Sequence, residues 1–360
     1  MKRIAVKIGS NVLTRKDGTL DITRMSALVD QVAILRKQGI EIILISSGAV
    51  ASGRSELKTD RKLDAVSSRQ LYSAVGQAKL INRYFELFRE HGLLCGQVLT
   101  TKESFSSRQH YLNQQHCIDV MLDNNVIPIV NENDTISVTE LMFTDNDELS
   151  GLIATMMSTD QLIILSNIDG IFDGNPQDPS SQVIRRIERN GKEDLASCIQ
   201  TGKSTFGRGG MLTKCNIAQK VADEGIAVII ANGKKENILV DLAEDMENTL
   251  CTVFIPAEHP TSSVKKWIAH SEGFAKGEVR INEGAAQALT GNKATSLLPV
   301  GITSITGDFE KEDIIRIISD NGEMLGVGCA AYCSEKARES IGRQGMKPLV
   351  HYDYLYLEQE

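Results

Sequence analysis

Short apolar runs alternate with longer amphipathic segments through the first two thirds of the chain. The runs are nearly continuous in apolar residues, which is typical of strands buried on both faces: RIAVKI (3–8), EIILIS (41–46), VIPIV (126–130), QLIILS (161–166) and IAVIIA (226–231). Helices are predicted near 23–37, 108–123, 146–157 and 211–224, and most clearly where Leu71, Ala74, Val75, Ala78, Ile81, Phe85 and Phe88 recur at intervals of three and four. This alternation predicts an α/β fold of three layers, with a largely parallel central sheet between helices.

The pattern changes after about residue 255, where a segment with two prolines follows the last long apolar run. From Gly273 onwards the apolar segments are short, and turn signals such as Asn321-Gly322 separate them. We therefore predict a first domain over residues 1–255, a linker over 256–272 and a small, mostly-β domain over 273–360.

Composition and charge exclude several classes of protein. The net charge of −8 argues against a surface that binds nucleic acid or anionic membrane throughout. The start of the chain, MKRIAVKIGS, lacks the apolar core of a signal peptide, and no run of about 18 apolar residues predicts a membrane span. The seven cysteines are scattered without zinc-ligand spacing, so we predict reduced thiols in a cytoplasmic protein.

Polar residues follow four of the predicted strands at corresponding positions. Lys7 is near the end of the first strand, and Ser46-Ser47-Gly48 follows the second. Asn131–Asp134 and Ser166-Asn167 follow the next two. Because ligands of parallel sheets bind outside the carboxyl ends of the strands, we expect these residues to form one site.

Two of the loops have the composition that phosphate binding requires. SSGAVASG offers hydroxyls and glycine N–H groups at a strand-to-helix turn, and STFGRGGMLTK places Gly209 and Gly210 before Thr213 and Lys214. A flexible loop with a solvated lysine has the same composition, so the second loop alone leaves both interpretations open. No complete P-loop and no GxGxxG motif is present.

Two acidic motifs supply the opposite charge. NEND and TDND contribute three carboxylates and three amides: Asp134, Asp145, Asp147, Asn131, Asn133 and Asn146. Such a cluster could bind a metal, the ammonium group of an amino acid, or the lysines of the other loops. Asx turns and a helix cap are the structural alternative, because Asp145 and Asp147 precede a predicted helix.

Taken in order, the motifs VKIGSNVL, SSGAVASGR, QLYSAVGQAKL, LDNNVIPIVNEND, TDNDELS and GRGGMLTK closely resemble the glutamate 5-kinases of proline biosynthesis. The resemblance extends to a C-terminal region similar to a PUA domain. It implies an amino-acid-kinase-like fold and an enzyme that uses ATP and Mg²⁺ to convert the side-chain carboxylate of L-glutamate into γ-glutamyl phosphate.

The resemblance also implies the roles of individual residues. Lys7 and Lys214 would stabilise the phosphoryl group in transfer, and Asp147 would hold both lysines. Ser47, Asp134 and Asn146 would bind glutamate, with Asp134 at its ammonium group. The ATP site would be lined by Lys7 and by Ser166, Asn167, Arg208, Gly209, Gly210, Met211, Leu212, Thr213 and Lys214. The magnesium ligands are not implied.

One position departs from the family's pattern. The family typically has Asp, followed by xxGLY, where this chain has Asn167 before Ile168-Asp169-Gly170-Ile171-Phe172. Asn would be harmless if this position acts through its backbone. It would weaken nucleotide binding if the position acts through a carboxylate.

The family resemblance further implies a homo-oligomer, dimer or tetramer, and feedback inhibition by proline. PUA domains commonly bind RNA, but residues 273–360 carry nine Lys and Arg against thirteen Asp and Glu, a net of −4, so weak RNA binding or none is expected. Two alternatives remain open at this stage: another carboxylate kinase of the same fold, or a catalytically weak RNA-binding or regulatory relative.

Overall fold

An eight-stranded, largely parallel sheet organises the longer part of the chain in the computed structural model. The structure describes residues 2–57, 62–137, 143, 146–188, 211–258, 265, 267–268, 271–291 and 294–357. The strands are β1 (Arg3–Ile8), β2 (Glu41–Ser46), β3 (Leu94–Thr100), β4 (Val126–Glu132), β5 (Gln161–Ser166), β6 (Arg186–Ile187), β7 (Ala227–Asn232) and β8 (Cys251–Phe254). Their order is β3-β4-β2-β1-β5-β7-β8-β6, and all neighbours are parallel except β7 and β8.

Both faces of this sheet are covered by helices, which explains why its central strands are apolar without interruption. The helices in this part are α1 (Ser10–Leu13), α2 (Ile22–Lys37), α3 (Ala49–Glu56), α4 (Ala65–Glu90), α5 (Glu103–Ser106), α6 (Arg108–Asp123), α7 (Asn146–Met156), α8 (Met211–Asp223) and α9 (Ile238–Glu244). One core combines Ile4, Val6 and Ile8 of β1 with α2, α4 and α9. Helix α7 packs on β1 and β5, whose remaining side chains, such as Ala5, are also buried. The predicted three-layer α/β architecture is confirmed.

Helix α4 begins at Ala65 because the Asp64 side chain accepts hydrogen bonds from the N–H groups of Val66 and Ser67. Its buried face differs from the apolar face predicted from sequence. Val75 and Phe85 are 37% and 40% exposed, whereas the buried positions are Ser73, Gly76, Leu80, Tyr84, Leu87 and Phe88. Two of these buried positions, Ser73 and Gly76, are small residues.

Two glycines explain this packing. A Cβ atom on Gly76 would lie 1.8 Å from the carbonyl oxygen of Ala49, and one on Gly53 would lie 1.8 Å from that of Tyr72. Only residues without a side chain therefore allow α3 and α4 to approach this closely. In the second half of the helix the buried face is made of large side chains, namely Leu80, Tyr84, Leu87 and Phe88.

The C-terminal part forms a second, five-stranded sheet of order β10-β9-β11-β12-β13. Its elements are β9 (Gly277–Ile281), α10 (Glu283–Thr290), β10 (Ile302–Gly307), β11 (Ile314–Ser319), β12 (Met324–Cys329), α11 (Ser334–Ser340) and β13 (Leu355–Leu357). A separate core surrounds Val279, Ile281, Ile315 and Ile317. The prediction of a small, mostly-β region at this end of the chain is confirmed.

The chain divides into two compact units, one of residues 1–102 and 114–260 and the other of 103–113 and 261–360. Segment 103–113 belongs to the second unit because the Trp267 indole N–H donates to the carbonyl oxygen of Phe105 over 3.0 Å, and the Arg108 guanidinium lies over the Trp267 ring. The sequence-based domain boundaries did not place segment 103–113 with the C-terminal unit. The boundaries 1–255, 256–272 and 273–360 remain a proposal. None of the described helices has the length and apolar content needed to cross a membrane.

Candidate active site

Four neighbouring parallel strands, in the order β4-β2-β1-β5, end at the same edge of the large sheet. Lys7 is near the end of β1, Ser47 follows β2, Asp134 follows β4, and Ser166 ends β5. The polar residues chosen from the sequence therefore lie at one edge, as expected for a ligand site of a parallel sheet.

Asp147 holds two lysines that come from distant parts of the chain. Its carboxylate oxygen Oδ1 contacts Lys7 Nζ, and Oδ2 accepts a hydrogen bond from Lys214 Nζ at 2.6 Å. Lys7 reaches this carboxylate from β1, Asp147 lies in the first turn of α7, and Lys214 lies in the first turn of α8. The cluster of two ammonium groups and one carboxylate has a net positive charge, which suits an anionic ligand.

The charge on Asp147 depends on these lysines. The side chain is 1% exposed, and burial alone would raise its pKa. The attraction of Lys7 and Lys214, together with their hydrogen bonds, outweighs burial and holds the pKa below its ordinary value. Asp147 is consequently an anion at neutral pH and keeps both lysines in fixed positions.

A cavity of about 310 Å³ opens at the same edge, at the lower end of the size range of small-molecule sites (about 300–1,000 Å³). It is lined by Ser10, Ser47, Gly48, Ala49, Val50, Ala51, Arg54, Arg69, Asn131, Asp134 and Asn146. The three residues predicted to bind glutamate are thus brought together. Gly48 turns the chain from β2 into α3 with a φ of 106°, a left-handed conformation that favours glycine.

Hydrogen bonds fix the direction of two amides in this cavity. The backbone N–H of Glu132 donates to Asn131 Oδ1 at 2.9 Å, so the amide nitrogen of Asn131 must face Gln77, whose Oε1 accepts at 3.0 Å. Asn146 Nδ2 in turn donates to Asn131 Oδ1 at 3.1 Å and to Ser47 Oγ at 2.9 Å. Asn146 therefore uses its N–H groups on the protein and keeps its carbonyl oxygen for another partner.

Arg69 of α4 contacts both carboxylates at the end of β4. Its Nε donates to Asp134 Oδ1 at 2.7 Å, and its second terminal nitrogen donates to Glu132 Oε2 at 2.6 Å. Burial raises the pKa of both acids above their ordinary values, although the charge of Arg69 opposes the shift. Sequence reasoning missed Arg69 and Gln77. Their positions eight residues apart on α4 place them on one helix face, which is the signal that could have found them.

The predicted nucleotide-binding residues fall into two groups. Ser166 is buried and Asn167 exposed at the end of β5, and Met211, Leu212 and Thr213 open α8 directly before Lys214. Arg208, Gly209 and Gly210 lie outside the described residues, as does Asp145 of the TDND motif.

Asp169 is a further acidic residue near the end of β5 that sequence reasoning did not assign. Its carboxylate oxygen Oδ1 accepts a hydrogen bond from Asn232 Nδ2 at 3.0 Å and lies 3.0 Å from Lys235 Nζ. Both partners are at the end of β7, the strand next to β5. Asp169 and Lys235 also follow strands, so the same rule that predicted the other polar site residues from strand ends could have identified them.

Two protein-family models match this chain. The amino acid kinase family matches residues 2–232, and the PUA domain matches residues 277–351. A protein of Bacteroides thetaiotaomicron named glutamate 5-kinase is 70% identical over 99% of this chain and 98% of its own length. The chain belongs to the glutamate 5-kinase family. A glutamate 5-kinase of Chlorobaculum tepidum is 50% identical over 99% of this chain and 97% of its own length.

This chain has an amino acid kinase domain followed by a PUA domain. A solved structure of carbamate kinase from Giardia lamblia bound to AMP-PNP is similar in fold to 71% of this chain and 99% of that structure. Its TM-score is 0.51 at 16% sequence identity, so the likeness concerns the fold alone.

Proposed function

We propose that the chain transfers the γ-phosphoryl group of ATP to the side-chain carboxylate of L-glutamate and forms γ-glutamyl phosphate, the first step of proline biosynthesis. The observation that carries the proposal is the pair of Lys7 and Lys214 on Asp147, beside a cavity that contains Asp134. Similarity to glutamate 5-kinases over nearly the whole chain supports the choice of substrate.

The reaction needs no proton transfer from the acceptor carboxyl of glutamate. The side-chain carboxyl of glutamate has an ordinary pKa near 4.3, so at neutral pH it is already an anionic nucleophile and needs no general base. Catalysis then requires that two anions be brought together and that the charge of the phosphoryl group be neutralised. The ammonium groups of Lys7 and Lys214 have the charge for this role, and Asp147 fixes their positions.

ATP would bind along Ser166, Asn167 and the start of α8, where Met211, Leu212 and Thr213 precede Lys214, with Arg208, Gly209 and Gly210 before them in the sequence. The first turn of a helix offers free N–H groups to phosphate oxygens. Mg²⁺ would neutralise charge on the phosphates. Within the described residues, no group of three or more His, Cys, Asp or Glu side chains could hold a metal ion. Mg²⁺ bound to nucleotide phosphates usually keeps several waters and takes only one or two carboxylates from the protein.

The first prediction concerns substrate choice. With ATP, Mg²⁺ and hydroxylamine, we expect glutamate to yield γ-glutamyl hydroxamate, and N-acetylglutamate to react with a kcat/KM lower by about tenfold or more. Acetylation removes the positive charge that would pair with Asp134. Aspartate is shorter by one methylene, so its carboxylate would fall short of Lys7 and Lys214 while its ammonium group contacts Asp134.

Hydroxamate formation and ADP release measured together test this prediction, with reactions lacking ATP as the control. Equal or faster turnover of N-acetylglutamate would remove glutamate as the substrate. It would leave the kinase chemistry of the lysine pair in place, because the acceptor would still be a carboxylate.

We further propose feedback inhibition by proline. Proline carries an ammonium group and a carboxylate but no side-chain carboxylate, so it can compete for Asp134 without reacting. We expect millimolar proline to raise the apparent KM for glutamate while kcat stays unchanged. Pyroglutamate has the same ring size but no ammonium group and serves as the matched control, with no expected inhibition. A fall in kcat at unchanged KM, or insensitivity to millimolar proline, would contradict competition at this site.

A homo-oligomer, dimer or tetramer, is also proposed. Its support is the apolar surface that the first unit exposes on a single chain. Phe85 of α4 and Leu94 and Leu99 of the edge strand β3 are 39–53% exposed. Exposed apolar groups on an unpaired sheet edge are typical of surfaces that bind another protein.

The charges of the PUA domain favour weak RNA binding or none. Between Gly273 and Glu360, the only concentration of basic residues in the sequence is Arg338, Arg343 and Lys347. The Arg338 guanidinium donates to Asp308 at 2.9 Å and is thereby engaged within the domain. A phosphate-binding surface normally presents a basic stripe. We propose the cytoplasm as the location, where ATP and glutamate are both available.

A further inference from the structure

Arg69 lies between two buried carboxylates beside the cavity proposed for glutamate. Its side chain is 26% exposed, whereas the side chains of Glu132 and Asp134 are 3% and 10% exposed. The guanidinium contacts one carboxylate through Nε and both through a terminal nitrogen. A fork of this kind fixes the orientation of both acids as well as their charge.

The three side chains together have one net negative charge. Two carboxylates in the same buried site without a cation would repel each other, and one of them would bind a proton. Burial acts in the same direction on both acids, and Arg69 is the charge that opposes it. The protonation state of Asp134, which follows β4, therefore depends on a residue of helix α4.

The other groups that face the two acids cannot replace this charge. The Phe143 N–H donates to Glu132 Oε1 at 2.9 Å, and the Ser137 side chain is a second neutral donor near Glu132. Arg54 lines the same cavity and lies over the Tyr72 ring, and Lys7 and Lys214 contact Asp147.

We propose that Arg69 is a positioning residue for substrate binding, which holds Asp134 and Glu132 as oriented anions so that this cluster of three side chains keeps one net negative charge for the ammonium group of glutamate. The inference rests on the proposed function. Glutamate contributes its ammonium group at Asp134, while Arg69 remains bound to both acids. Arg69 thus acts on the substrate through Asp134 and has no part in phosphoryl transfer.

The test compares Arg69→Met with wild type in KM and kcat for glutamate between pH 6 and pH 8.5. Methionine retains an apolar stem of similar length and removes the charge. Without the cation the two acids share a proton as the pH falls, and the ammonium group loses its partner when that proton is on Asp134. We expect the ratio of the variant KM to the wild-type KM to be about tenfold larger at pH 6 than at pH 8.5, because Asp134 of the variant would be mostly protonated at the lower pH and ionised at the higher one. The kcat at saturating glutamate should change by less than about threefold.

Two further variants sharpen the result. Arg69→Lys restores the charge and should bring the pH dependence of KM close to that of wild type. Arg83→Ala removes an arginine of the same helix that pairs with Glu86 at the surface, and should change neither KM nor kcat. Titration calorimetry of glutamate at pH 6 and pH 8 measures the same effect without turnover. Should Arg69→Met not fold, Arg69→Gln carries the same comparison.

A KM ratio that is constant across the pH range would overturn this inference, because a purely structural defect has no reason to follow protonation. A loss of kcat at unchanged KM would overturn it as well. If wild type itself shows no glutamate-dependent turnover and no glutamate binding, the proposed function fails, and the inference fails with it. An active wild type with a flat Arg69→Met profile rejects the inference alone.

Discussion

Replacing Lys214 with alanine should lower kcat by two orders of magnitude or more and leave the KM for glutamate within about threefold of wild type. Removing one preorganised donor from a developing charge typically costs about 100- to 1,000-fold in rate. Lys214 Nζ is 2.6 Å from Asp147 Oδ2, but Lys214 is not among the residues that line the substrate cavity. Steady-state kinetics at saturating ATP, with glutamate varied, separate the two parameters.

Lys220→Ala is the matched control for this experiment. Lys220 belongs to the same helix α8 and lies about 9 Å further along its axis, as six residues at 1.5 Å each imply. Its replacement should leave kcat within about twofold. If Lys214→Ala changed only the KM for glutamate, Lys214 would be a substrate-binding residue, and its assignment to the phosphoryl group would be wrong.

Replacing Asp147 with asparagine should affect both stability and catalysis. The two side chains have nearly the same shape, so the change removes a charge from between Lys7 and Lys214 without creating a cavity. Breaking a buried ion pair in this way costs about 3–5 kcal/mol. We expect the free energy of unfolding to fall by about 3 kcal/mol in denaturant titrations, and kcat to fall by about 100-fold as the lysines separate.

Glu148→Gln provides the control at the next position of α7. Glu148 forms a partly exposed pair with Lys102 at 3.5 Å, and such pairs contribute about 1 kcal/mol or less.

The pKa of Asp147 is lowered in the folded protein, so its contribution to stability is present above the ordinary carboxyl pKa of about 4 and is lost as the pH falls through the lower folded value. The difference in the free energy of unfolding between wild type and Asp147→Asn should therefore have its whole value at pH 7 and decrease below about pH 4. An Asp147→Asn variant with wild-type stability and turnover would refute the role of this carboxylate.

The central strands were predictable because a strand that is buried on both faces consists almost entirely of apolar residues. β1, β2 and β5 are buried on both faces, and each is a continuous apolar run with the predicted bounds. Strand β3 was not predicted, since it lies at the sheet edge and exposes Leu94, Gln97 and Leu99. An edge strand lacks the uniform burial that produces a continuous apolar run.

The buried face of α4 could not be predicted by counting large apolar residues. Its close contact with α3 depends on Gly53 and Gly76, and a glycine contact has no hydrophobic periodicity. The apolar residues Val75 and Phe85 are exposed, and Phe85 is one of the residues that support the proposed homo-oligomer.

The candidate site was predictable to the extent that it follows strand ends. Lys7, Ser47 and Asp134 follow directly from that rule, and their common position needed only the parallel order of the strands. Arg69 and Gln77 could not be assigned in the same way, since the rotation of α4 about its axis decides which of its polar residues face the site. The roles of the residues around Arg208 stay predictions.

Gly76 affects the substrate cavity although it has no side chain that could contact a ligand. Ala49, whose carbonyl oxygen would lie 1.8 Å from a side-chain carbon at Gly76, also lines the substrate cavity. A single added methyl group would push α3 away from α4 and move one wall of that cavity, while every charged residue stayed intact. Natural selection for turnover would therefore act at Gly76 against any side chain at all, and a survey of inactive variants should recover this position beside the lysines.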